Sequence, residues 1–264
     1  MHSPQPITSP VDPTQRFSDR VGFYVRSRPK YPKGILKFLG DELGFRVEDR
    51  VADVGSGTGF LSELFVQNGN PVFAVEPNAN MRAAAEEMLG KFSNFHSTDG
   101  KAEATGLDSA SVDWVVAGQA FHWFDRVRCR AEFQRILKPD GWVGLVWNHR
   151  RTDQEFERAY DRIVEEFQTD LKHVSHRTIT ATDSEEMAKF FRPAGFKTKM
   201  FENPQTLDLD GLIARAMSSS YLPMPGNPKC EPMVRRLQEI FAQFSQGGVV
   251  LQNYDTLLFY GQLL

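Results

Sequence analysis

The chain has 264 residues, 41% of them hydrophobic and 25% charged, which suffices for a full core and excludes disordered and fibrous classes. A formal charge of -3 offers no general attraction to phosphate backbones or anionic lipid surfaces, so neither nucleic acid nor a membrane is the expected partner. Two cysteines, Cys129 and Cys230, are too few for a disulfide framework and stand in no metal-binding spacing, which points to a reducing, cytoplasmic setting.

In chain order, residues 1–13 are rich in Pro, Ser and Thr, lack an apolar leader and read as a loosely held arm; residues 14–264 read as one domain. No apolar run approaches the length of a membrane span. From Arg50 to His149 short apolar runs alternate with helical stretches, the pattern of a parallel sheet covered by helices. Strands are expected at Arg50 to Val54, Pro71 to Glu76, Asn94 to Ser97, Val112 to Gly118 and Trp142 to Asn148. Helices are expected at Gly59 to Asn68, Ala79 to Leu89 and Asp125 to Leu137. A polar helix follows near Gln154 to Lys172, then the runs Phe196 to Glu202 and Leu251 to Leu263, which are expected to pair antiparallel at one sheet edge. The sum is an α/β, Rossmann-like, doubly wound and mostly parallel seven-stranded sheet with an antiparallel edge strand. An insertion at about 204–248, with the loop Ser218 to Pro228 and a helix Met233 to Phe244, is expected to join the amino terminus as a small cap over the site.

The strongest motif is Val51-Ala-Asp-Val-Gly-Ser-Gly-Thr-Gly59, a strand running into three alternating glycines that open a helix. Glycines there let the backbone turn tightly and approach a ligand that a Cβ would repel. The spacing, Gly55, Gly57 and Gly59, departs from the GxGxxG dinucleotide fingerprint, and no Gly-Lys-Ser/Thr follows to hold a triphosphate. Asp53 at the strand end would repel phosphate but could accept hydrogen bonds from an ammonium group, which suits the methionine end of S-adenosyl-L-methionine. Glu76, ending the second apolar run, can accept two hydrogen bonds from a ribose diol.

With these residues in place the chain resembles the class I S-adenosylmethionine-dependent methyltransferases, in particular the methyltransferase type 11 group that includes trans-aconitate methyltransferases. Further matching stretches are Phe23-Tyr-Val-Arg-Ser-Arg-Pro-Lys-Tyr-Pro32, Gly100-Lys-Ala-Glu103, Val112 through Asp125, and Leu137-Lys-Pro-Asp-Gly141. The resemblance implies that Gly55, Ser56, Gly57 and Gly59 line the methionine moiety and that Glu76, followed by Pro77 and Met81, holds the ribose. It also implies that Lys101, Ala102 and Glu103 sit at the adenine through backbone groups, although Lys101 stands where many relatives carry an acid. Gln119, Ala120 and Phe121 would form the floor beneath the methyl group, and Tyr24 and Arg28 would close over the cofactor, the guanidinium pairing with the methionine carboxylate.

Methyl transfer from a sulfonium needs positioning and water exclusion more than a nucleophilic side chain. His122 is the candidate general base, with a packed structural histidine as the competing reading. Trp123 and Phe124 could wall the acceptor pocket, one or two of Trp147, Asn148 and His149 at the end of the fifth strand are expected to face the acceptor, with Trp147 and His149 preferred, and Tyr221 is the candidate from the insertion. His173 and His176 have a metal-pair spacing that no further ligand completes, so no metal is expected. The expected acceptor is a small molecule, with a carboxylic acid metabolite as the leading class on family analogy alone. A noncatalytic cofactor-binding module and an NAD(P)-dependent oxidoreductase stay open as alternatives, and the assembly is open between monomer and dimer.

Overall fold

The computed structural model describes residues 22–23, 27–169 and 182–263. Tyr24, His173, His176 and the expected amino-terminal arm lie outside the described residues. The helix α1 (Gly34–Leu43) follows the extended stretch 29–32 and buries Ile35 and Leu39. It was not expected, because Gly34 and Gly40 weaken its intrinsic propensity; packing of its apolar face decides.

The alternating region folds as anticipated: β1 (Val51–Val54), α2 (Phe60–Asn68), β2 (Val72–Val75), α3 (Ala79–Leu89), β3 (Phe95–Thr98), β4 (Val112–Gly118), α4 (Arg126–Ile136) and β5 (Leu137–Arg150). β5 is longer than the run Trp142 to Asn148 at both ends. The later part adds α5 (Glu155–Phe167), α6 (Thr182–Phe190), β6 (Lys197–Glu202), β7 (Gln205–Leu207), α7 (Leu209–Met217), α8 (Cys230–Phe244), β8 (Val250–Gln252) and β9 (Tyr254–Gly261).

The seven-stranded sheet has the order β3-β2-β1-β4-β5-β9-β6. Its first five strands are parallel, and β9 runs antiparallel to both β5 and β6. The antiparallel partnership of β9 and β6 at one edge is the expected one, with β9 lying inside β6. The order reverses between β1 and β4, so the loops after these strands open a crevice at their carboxyl ends, where doubly wound sheets bind ligands.

Three clusters of buried side chains hold the structure. One contains Val115, Leu145, Trp147, Phe133 and Phe190 and lies on one face of the sheet; a second, with Ile35, Phe65, Val116, Val146 and Leu258, lies on the other. The third belongs to the cap: α5, α7 and α8 close Tyr160, Ile163, Leu212, Leu222, Met233 and Leu237 over the β7–β8 ribbon. The stretch expected to be a polar helix is therefore amphipathic, burying Phe156, Tyr160, Ile163 and Phe167 among the cap residues. Glu157, fully buried, ties α5 to the sheet by accepting from Asn253 N and Nδ2 at 3.0 and 2.8 Å.

Candidate functional site

The β1–α2 loop is built on left-handed glycines. Gly55 (φ 68°) donates its N–H to Val75 O, and a Cβ there would lie 2.7 Å from Ala120 Cβ and 3.1 Å from the Phe124 ring. Gly59 (φ 85°) is closed off by α3, since a Cβ would meet Leu89 Cδ1 at 2.9 Å and Ala85 at 3.2 Å. Gly57 (φ 56°) differs: a Cβ there would meet nothing within 4 Å, because its Cα faces the crevice. Gly55 and Gly59 thus serve packing, whereas Gly57 is the close-approach glycine. Glu76 braces the loop, one oxygen accepting from Gly57 N and the other from Asn78 N, both at 2.9 Å. Each oxygen keeps a lone pair for a further donor.

Asp53 is fully buried at the end of β1. Its Oδ2 accepts from the Ser62 hydroxyl at 2.7 Å while Oδ1 makes no hydrogen bond. Burial, together with the Glu76 charge and against the Ser62 hydrogen bonds, pushes its carboxyl up to about 7. Thr58 Oγ1 is likewise buried without a partner. Gln119, beyond β4, holds φ at 58° and donates Nε2 to Asn148 O at 3.1 Å. Left-handed backbone at a non-glycine residue costs about 1–2 kcal/mol and is concentrated at functional sites.

One cleft joins Asp53, Ser56, Gly57 and Thr58 to Gln119, to Asn148 and Arg150 on β5, and to Arg215 and Tyr254. Arg28, Pro29 and Tyr31 form its outer wall. This segment is laced down: Arg28 Nη2 donates to Ser218 O at 2.9 Å, Gln205 to Ser27 O at 2.8 Å, Asn203 to Lys30 O at 2.7 Å and Asn148 to Pro29 O at 3.2 Å.

The remaining expected residues distribute unevenly. Pro77 is half-buried and Met81 buried in the first turn of α3, its N–H accepted by Asn78 Oδ1. Lys101 is exposed and bridges by backbone to Ala104, and Ala102 is buried; Glu103 turns away to accept from Asp125 N at 2.8 Å. Ala120 sits against the glycine loop, whereas Phe121 is a core residue, 2% exposed and edge-on to Phe124, Trp147 and Phe190. The short 3-10 turn Phe121–Trp123 points Phe121 inward and leaves His122 exposed against Trp123, outside the lining of the cleft described above.

The two β5 residues chosen as acceptor contacts are also displaced. Side chains alternate along a strand; Trp147 faces the core with Phe121 and Phe259, and His149 faces a surface groove with Met200, Glu202 and Asp255. Asn148 and Arg150 are the pair that face the cleft. Tyr221 is 9% exposed within the cap core. Burial pushes its phenol up, yet the guanidiniums of Arg150, Arg215 and Arg28 outweigh this and bring it below the usual value. Arg150, Arg215, Tyr254 and Thr58 escaped the sequence reading. Extending the β5 alternation by two residues would have found Arg150, and Arg215 is a lone cation in the apolar run Leu212 to Met217.

Among the described residues no three His, Cys, Asp or Glu side chains gather as a metal site, and no helix is long and apolar enough to cross a membrane.

A glycine loop at the reversal of a doubly wound sheet, with an acid ending each of the first two strands, defines a nucleoside-type cofactor site. Residues 52–145 match the family described as a methyltransferase domain. An uncharacterized methyltransferase of Mycobacterium tuberculosis is 38% identical over 143 residues, 53% of this chain and 54% of the relative. An uncharacterized methyltransferase-like protein of Schizosaccharomyces pombe is 35% identical over 135 residues, 51% and 52% of the two chains. These alignments span about half the length of the curated relatives. Among solved structures, a candidate type II methyltransferase from Anaeromyxobacter dehalogenans superposes with a TM-score of 0.67 over 90% of this chain and 98% of that one, at 21% identity. A candidate methyltransferase of an antibiotic biosynthesis pathway in Anabaena variabilis gives 0.60 over 90% and 99%, also at 21% identity. Such identities speak for the fold alone. The stretch similar to a methyltransferase domain carries the glycine loop, Glu76 and the strands on both sides of the crevice.

Proposed function

We propose that the whole chain is an enzyme that methylates a small carboxylic acid, using S-adenosylmethionine held at the β1–α2 loop. The observation that carries the acid is the convergence of three guanidiniums, Arg28, Arg150 and Arg215, in the cleft that also contains Asp53 and Gly57, of which Arg28 would serve the cofactor carboxylate and leave Arg150 and Arg215 for an acceptor. They come from three separate parts of the chain, so their meeting is a product of the fold.

The residues fit the cofactor. Asp53 Oδ1 and Thr58 Oγ1 are buried polar atoms without partners beside a glycine that faces open space, which suits an ammonium group brought close to the backbone. Glu76 has acceptor capacity for a ribose diol, the backbone at Lys101 and Ala102 would serve the adenine, and Arg28 would pair with the methionine carboxylate. When bound, S-adenosylmethionine supplies an electrophilic methyl group on a sulfonium. The chain's own contribution is to orient the acceptor with guanidiniums and hydroxyls and to shed water beneath the laced segment and the cap. A carboxylate acceptor needs no general base, consistent with the exposure of His122.

The test incubates the protein with S-adenosylmethionine and a panel of small acids, reading S-adenosylhomocysteine by mass spectrometry. Product formation that depends on an acid supports the reading. Tight cofactor binding with no acid-dependent turnover would make the chain a binding module instead.

A further inference from the structure

Two of the three guanidiniums in the cleft are under-used. The Arg150 side chain is 8% exposed and pairs through Nη2 with Asp161, while its Nε and Nη1 make no hydrogen bond. Its Cζ lies 4.9 Å from the centre of the Tyr160 ring, whose own hydroxyl is buried without a partner. Among the described residues Arg215, 3% exposed, donates to neutral oxygens: Tyr254 Oη at 2.9 Å, Ser219 Oγ at 3.1 Å and Ser218 Oγ at 3.4 Å. Among the described residues Asp161 is the carboxylate that pairs with either of them. Buried guanidiniums are costly unless matched by negative charge and hydrogen bonds. One bridges from the end of β5 and the other from α7 in the cap.

We propose that Arg150 and Arg215, with the Tyr160 and Tyr254 hydroxyls, form a subsite for an anionic group of the acceptor that is not itself methylated. The acceptor class is then an acid that carries a second nucleophilic group. This rests on the cofactor reading above and deepens it. A carboxylate gripped by two guanidiniums has its lone pairs engaged by N–H donors and is a poor nucleophile. Methylating it would also destroy the ion pairs as the reaction proceeds, a loss felt in the transition state and absent from the ground state. A second group escapes both penalties. Its lone pair forms the bond to the methyl carbon while the carbon–sulfur bond breaks, the electron pair staying on sulfur to give a neutral thioether. A second carboxylate releases no proton, whereas a hydroxyl or amine releases one to solvent.

The test uses the full chain loaded with S-adenosylhomocysteine and four probes: succinate, 3-hydroxybutyrate, β-alanine and butyrate, with dimethyl succinate as the uncharged control. Calorimetry is expected to show millimolar or tighter binding of the acids, including butyrate, and none of the diester. Arg150→Gln is expected to weaken acid binding at least tenfold while S-adenosylhomocysteine affinity stays within twofold, and Arg150→Lys, which keeps the charge beside Asp161 but loses the planar fork, to weaken it severalfold. With S-adenosylmethionine, at least one bifunctional acid should be methylated to a product that keeps a free carboxylate, and its identity names the second nucleophile; butyrate should bind without forming an ester. Butyrate ester formed as fast as any other product, or methylation of none of the four despite acid binding, overturns the second-nucleophile assignment. Acid binding that is absent, or unchanged in both Arg150 variants while S-adenosylhomocysteine still binds, overturns the subsite. Failure of S-adenosylhomocysteine itself to bind strikes the cofactor reading instead.

Discussion

Gly57 and Gly59 stand two residues apart in one loop and are constrained by different neighbours. Gly57→Ala meets open space, so its cost is the left-handed backbone alone, about 1 kcal/mol, and the melting temperature should fall only a few degrees. Cofactor affinity should drop at least tenfold, because the methyl projects where the ligand approaches. Gly59→Ala adds a 2.9 Å clash with Leu89 to the same strain and should destabilise by about 2–3 kcal/mol, read in the same thermal melts. Asp53 sets a pH dependence. Its folded-state value near 7 lies above the 3.8 of the unfolded chain, so this group makes stability decline between those limits and adds nothing further above them. An ammonium needs the ionised form, so cofactor affinity should rise between pH 6 and 7.5 and then level, a slope that Asp53→Asn removes; calorimetry across pH checks it. The glycines, Asp53 and Glu76 were legible because their spacing on consecutive strand ends is a local property. Phe121 was not, because whether a ring beyond β4 turns in or out depends on the 3-10 turn that follows.

At the scale of elements, α4 is fastened to the segment after β3 by Glu132, whose Oε1 accepts from Thr105 N at 2.8 Å and Thr105 Oγ1 at 2.6 Å and from Arg135. The Arg135 hydrogen bond, with those from Thr105, holds this carboxyl down to about 2. Glu132→Ala strands two buried donors and should cost about 2–3 kcal/mol by urea unfolding at pH 7. The depressed value places the contribution above pH 4.5 and removes it as pH falls toward 2, so the deficit of the variant should shrink at pH 3. The alternation of strands and helices up to β5 was readable from periodicity. The faces of β5 were not, since apolar pattern marks the strand only to Asn148 and does not say which of Trp147, Asn148 and His149 turns to the cleft, where Asn148 and Arg150 lie. The charged residues of α5 hid its apolar stripe in a composition-based reading, although Phe156, Tyr160, Ile163 and Phe167 keep helical spacing.

Over the whole molecule, the sheet supplies the cofactor loop and Arg150, the cap supplies Arg215 and the segment before α1 supplies Arg28, and the cleft exists only where they meet. The resemblance pointed to Arg28, but the sequence did not reveal its meeting with Arg150 and Arg215, because the three are separated by 122 and 65 residues and only the tertiary fold brings them together. The central claim is that the β1–α2 loop binds S-adenosylmethionine and its product. Calorimetric titration of the purified chain with S-adenosylhomocysteine, with NADH as the control, tests it most directly. Micromolar binding of S-adenosylhomocysteine, none of NADH, loss of binding in Gly57→Val and weakening in Glu76→Ala are expected; equal affinity in all three proteins, or binding of NADH in its place, would place the cofactor elsewhere.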